Sequence, residues 1–81
     1  MSEFLRLLAL YYACEIAAET QFPAPDEWTR CMGHYHAVKV RFAQDLTGPA
    51  AQIEGYRRWK EWEAMNPDVV ESLRDRARRR G

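Results

Sequence analysis

Between Leu7 and Cys14 the chain reads Leu-Leu-Ala-Leu-Tyr-Tyr-Ala-Cys, eight residues without a charge. Wound at ~100° per residue, the run has no polar face, because Glu3 and Arg6 project to one side while Glu15 and Glu19 project nearly opposite. A helix that is apolar all round must be covered all round. The stretch falls far short of the ~20 residues that cross a bilayer. The start, Met1-Ser2-Glu3-Phe4-Leu5-Arg6, has no cationic leader segment, and Glu15 interrupts any secretory core. No membrane contact and no secretory signal are therefore expected. In a chain of 81 residues, where one core supplies only ~3–5 kcal/mol, cover on every side requires wrapping by all other helices or a second copy. Self-association through Leu7, Leu8, Tyr11 and Tyr12, most simply as a homodimer, is the expectation.

The rest of the chain reads as helix as well. Ser2 can cap a first helix over about 3–19 by accepting from a first-turn amide. Gln21-Phe22-Pro23-Ala24-Pro25 breaks it, and Pro25 suits the first turn of a second helix, about 25–46, with Asp26 and Glu27 against its positive end. Trp28, Cys31, Tyr35, Val38, Phe42 and Leu46 form its core stripe, spaced three or four apart, with Arg30, His34, Arg41 and Gln44 opposite. Gly33 within it permits close packing or a slight kink. Gly48 ends this helix in the left-handed conformation and Pro49 opens a third, about 49–65. Its apolar residues recur every third position, Ala50, Ile53, Tyr56, Trp59, Trp62 and Met65, a stripe that slips ~60° per step and winds around the helix. One flat partner cannot cover it, so either Gly55 bends the helix or the aromatics span two surfaces, one of them exposed. Asn66 as N-cap and Pro67 then start a fourth helix, about 67–79, with Val69, Val70, Leu73 and Ala77 on its apolar face. The reading is a single all-α domain over 1–81, a small bundle of four helices with a basic C-terminal tail at 74–81.

Hydrophobic residues make up 47% of the chain, enough for a globular fold, and twelve Lys and Arg cancel twelve Asp and Glu. That balance excludes a whole-domain basic footprint for nucleic acid and an acidic nucleic-acid mimic alike. It hides an asymmetry: residues 1–33 carry net −3 and residues 34–81 net +3. The local basic patch, Arg76, Arg78, Arg79 and Arg80, can meet phosphates or an acidic partner. Basic residues and aromatics mix over 56–80, and the helices flanking Asn66-Pro67 can be read as a helix-turn-helix. Asp68 and Glu71 at the start of the would-be reading helix oppose duplex DNA, however, and favour a solvated, salt-bridged face.

Chemistry finds no constellation. Cys14 and Cys31 lie in apolar helical patterns, where free thiols pack as small hydrophobes, and two cysteines make no disulfide framework. Reduced thiols and a cytoplasmic location are expected. With His34 and His36 they nominally complete a Cys2His2 set, but the two histidines differ by ~200° on a helix and cannot point at one ion. Neither cysteine has an activating base, Glu61 and Glu63 face different sides, and the four glycines form no phosphate loop. No metal, no cofactor and no catalytic activity are expected.

Three Trp, four Tyr and ten Arg are instead the residue types that dominate protein interfaces. Trp28, Tyr35 and Phe42 are assigned to the core. The surplus on helix three, Tyr56, Arg57, Arg58, Trp59 and Trp62, is assigned to partner binding. In general style alone the chain resembles bacteriophage or mobile-element accessory proteins that bind and inhibit a host protein machine, anti-CRISPR proteins among them. That resemblance implies a small non-catalytic interaction or regulatory protein; the alternative is a helical nucleic-acid-binding regulator using the Arg-rich segment.

Overall fold

The Ser2 hydroxyl accepts from the Leu5 amide at 3.1 Å and opens α1, Glu3–Thr20. The computed structural model describes residues 2–80, Arg80 by its backbone alone. Pro25 sits in the first turn of α2, Pro25–Phe42, where its missing N–H costs nothing. This helix stops four residues short of the predicted end, because Ala43 N–H turns back to Val40 O and Leu46 N–H to Ala43 O, tight bonds that bury Ala43. Gly48, at φ +66, is left-handed as expected, but it does not end α2, whose C-cap is Ala43; it leads into α3, Gly48–Met65. Asn66 does not cap with its side chain: Nδ2 donates to Trp62 O at 2.8 Å, closing α3, while its carbonyl accepts from Val70 in the first turn of α4, Pro67–Arg80. The basic stretch beginning at Arg74 is thus the last turns of α4.

The four helices form the small all-α bundle predicted, two layers deep in its 20 Å short dimension. α1 packs between α2 and α4, α3 packs on α2, and α3 meets α4 only sparsely. A helix-turn-helix built from α3 and α4 is not what forms, since α4 lays its apolar face on α1. The diagonal from α1 to α3 is bridged by rings. Tyr11 meets Trp59 edge-on at 5.1 Å, and Phe4 meets Trp62 at 5.4 Å. Leu8, Tyr12, Val38, Trp59, Val70 and Leu73 form the buried centre. Inside it the Tyr12 hydroxyl donates to Glu63 Oε2 at 2.5 Å, and Glu63 also accepts from Lys60 Nζ at 3.1 Å, so this half-buried carboxylate is satisfied on both oxygens.

Several expectations change here. Leu8 and Tyr12 are fully buried in their own chain, and Leu7 and Tyr11 pack half-buried against the same core, so those four residues do not form a free surface for self-association. The fold itself covers α1 on the side of Leu8 and Tyr12, while Leu10 on the other side stays 46% exposed. The buried stripe of α3 runs Ala51, Gly55, Trp59, at the helical spacing of four, while Ile53 and Met65 point outward. Gly55 marks a close approach and not a bend: a Cβ there would sit 2.1 Å from the Lys39 carbonyl oxygen of α2. Gly33, read as permitting close packing or a slight kink, makes no close approach: a Cβ there would meet nothing within 4 Å. Trp28, assigned to the core, is 55% exposed.

Cys14 and Cys31 are joined in a disulfide, with their Cα atoms 5.7 Å apart, inside the range a disulfide spans. This overturns the reading of free thiols, and the cytoplasmic expectation that rested on it loses its basis. The geometry follows from the hairpin. Cys14 lies six residues before the last residue of α1 and Cys31 six after the first of α2, so antiparallel packing about the 21–24 linker brings them level.

Candidate functional site

Between α1, α2 and their linker lies an open groove of about 580 Å³. That size lies within the ~300–1,000 Å³ of sites that bury a ligand. α1 contributes its outward stripe of Leu10, Ala13 and Ala17, of which the two alanines are small. α2 contributes Trp28, Met32 and Tyr35, and the Cys14–Cys31 bridge ties the two walls together. The linker closes one end with Phe22, 97% exposed, held outside the bundle between Gln21 and Pro23. Leu10 is 46% exposed. Leu10, Phe22 and Trp28 share this groove, while Val40, Ile53, Tyr56 and Met65 are exposed elsewhere.

The charges around this end are mostly acidic. Glu15 reaches Arg74 of α4 at 3.0 Å, and Asp26 pairs with Arg30 at 3.6 Å. Among the described residues Glu19 and Glu27 have no ion pair, and the last turn of α1 has no basic residue to offset its carbonyl end. Burial, then the neighbouring Glu15 carboxylate, pushes the Tyr11 phenol upward, so it stays a neutral donor at the groove wall.

The surface expected on α3 is otherwise engaged. Trp59 is completely buried, and Trp62 is half-buried between Phe4 and Phe42. Tyr56 keeps an exposed edge, with Lys60 Nζ 5.3 Å from its ring centre. Arg57 bonds both Glu54 and Glu61. Arg58 donates to Asp45 at 2.7 Å and to Phe42 O at 3.0 Å, fastening α3 to the end of α2. Hydrogen bonds from these guanidinium groups hold Asp45 and Glu54 below the usual carboxylate range. Of the five residues assigned to partner binding, only Tyr56 and Arg57 present much surface, and Arg57 is already paired.

The arginine patch on α4 is a mosaic of both signs. Arg78 lies near Glu71 and Asp75, Arg79 near Asp75, and Arg76 shares a shallow depression with Asp68 and Glu71. The Arg80 side chain lies outside the described residues. Of the nominal metal set, both cysteines are spent in the disulfide, and His36 meets Gln52 of α3 at 3.0 Å.

Leu10, Phe22 and Trp28 are the candidate residues that sequence reasoning missed. Two signals pointed to them: Leu10, Ala13 and Ala17 fall three and four apart on the side of α1 away from Leu8 and Tyr12, and Phe22 is stranded in a proline-bounded break. No protein-family model matches this chain, and neither a curated protein nor a solved structure matches it.

Proposed function

We propose that this chain is a small non-catalytic protein-binding module that regulates a partner by seating one of its segments in the α1–α2 groove. The observation that carries this reading is the joint exposure of Leu10, Phe22 and Trp28 along an apolar groove that the fold leaves open. On this reading the chain acts by occupying a surface, and inhibition of a larger protein is the form of regulation the reading favours. The acids interspersed among the α4 arginines make the nucleic-acid alternative the weaker one.

The test is photo-crosslinking in cells that express the chain, with Trp28→p-benzoylphenylalanine inside the groove and Gln44→p-benzoylphenylalanine on the exposed turn after α2. A discrete protein adduct from position 28, absent from position 44 and lost when Phe22→Ser is added, is the expected result. Equal labelling from both positions, or none from position 28, defeats the reading.

A further inference from the structure

We propose that the Cys14–Cys31 disulfide is a redox latch: it holds the outer half of the α1–α2 hairpin where no hydrophobic core does, and a dithiol reductant that opens it releases that half while the rest of the bundle stays folded. The burial pattern carries the inference. Leu8, Tyr12, Val38 and Trp59 lie at the core, but from 13 to 37 no residue is buried, and from 17 to 30 every residue except Pro23 is exposed. Ordering a segment costs conformational entropy that burial of apolar surface normally offsets. Polar links do not replace that burial here. Among the described residues the hydrogen bonds of this stretch are local: Gln21 N–H and Thr20 Oγ1 donate to Ala17 O, Trp28 N–H to Ala24 O, and Thr29 Oγ1 to Pro25 O. The Asp26–Arg30 pair lies within α2, and Glu15 reaches Arg74 of α4. The disulfide is what crosses from one helix to the other.

Gly33 marks where the release stops. It stands two residues beyond Cys31, inside α2, at a position where a Cβ would meet nothing within 4 Å. No packing demands glycine there, and glycine is the weakest helix former after proline. Past it Tyr35 is anchored on the Tyr11 and Trp59 rings, and Val38 in the core. The turns of α2 before Gly33 are far shorter than the ~12–15 residues at which an isolated helix becomes marginally stable.

The bridge is also within reach of a reductant. Both cysteines line the open groove and both are only half-buried, so a thiolate can approach from solvent. One thiolate of the dithiol attacks a cysteine sulfur, forms a mixed disulfide and expels the other cysteine as a thiolate, which takes up a proton. The reductant's second thiol, losing its proton, then displaces the mixed disulfide; the chain ends with two thiols and the reductant with a disulfide, two electrons having moved. Trp28 and Met32 of the groove's α2 wall lie on the released side of Gly33, so the groove is complete only in the oxidised chain, whatever it takes.

Hydrogen exchange read by NMR on the full chain, oxidised and in excess dithiothreitol, tests the latch without any partner. Alkylation should show both thiols free in native buffer, with no urea present. The amides of 17–20 and 28–32 should then exchange about a hundredfold faster than in the oxidised chain, the factor expected for freeing a loop with a sequence separation of 17. Those of Leu8, Val38 and Trp59 should remain at least ~tenfold slower than these. Cys14→Ser with Cys31→Ser should reproduce the reduced pattern in the absence of reductant. Three results overturn the latch: a bridge that opens only when urea unfolds the chain, outer amides that stay protected once the thiols are free, or outer and core amides that converge on one rate, which makes the bridge a staple of the whole fold.

Discussion

Lys39 and Gly55 show how closely two of these helices are fitted. The backbone of α2 at Lys39 comes so near α3 that only a residue without Cβ fits opposite it, and the Lys39 stem is buried there with its ammonium 4.2 Å over the Tyr35 ring. Gly33, one helix face away, touches nothing. The two glycines therefore predict opposite signs for one substitution. Gly55→Ala should lower the urea-unfolding free energy by ~1–3 kcal/mol or more, since backbone atoms must part, whereas Gly33→Ala in an exposed helix interior should raise it by ~0.5–1 kcal/mol. The same sign for both variants breaks the account. Gly55 also explains why the α3 stripe was misread. A count of apolar residues skips glycine and alanine's small contribution, so Ala51-Gly55-Trp59, spaced by four, was hidden behind the more conspicuous every-third pattern from Ala50 to Met65. Trp59 then turned out to be the largest fully buried side chain, at a position assigned to a partner.

At the scale of elements, the helix boundaries were readable because prolines and caps act locally: Ser2, Pro25, Pro49 and Pro67 each stand where a helix begins or one residue inside it. Pairing between helices is a tertiary fact and was not. That α1 finds cover from α2, α4 and the diagonal rings of α3 depends on topology, which hydrophobic periodicity does not encode. Cys14 and Cys31 illustrate the same divide, since their equal distance from the 21–24 linker becomes a disulfide only once the two helices are known to run back along each other. The bridge closes a loop with a sequence separation of 17, so opening it with a reductant, or replacing both cysteines with serine, should cost ~3 kcal/mol of stability. Parallel urea titrations with and without reductant measure this. A midpoint unmoved by reduction, with thiols shown free by alkylation, contradicts it.

At the scale of the molecule, the buried tyrosines tie stability to pH. Burial first, and then the neighbouring carboxylates Glu15 and Glu63, raises Tyr11 and Tyr12 in the folded state above their ordinary value of ~10. A group raised on folding contributes stability that is complete below its unfolded pKa and is lost as pH climbs beyond it. The urea midpoint should hold to about pH 9.5 and then fall steeply through pH 11.5, and Tyr11→Phe with Tyr12→Phe should flatten that fall; an equally steep fall in the double variant removes the tyrosines as the cause. On the acid side, Asp45 and Glu54 are lowered by their arginine partners, so their contribution is present above ~4 and fades as pH drops below it. The link between residues 14 and 31 has one more consequence, a topological one. It makes the segment bearing Phe22 part of a ring, so a protease that severs the chain once between Gln21 and Ala24 produces two pieces still holding hands, and only a reducing gel reveals the wound.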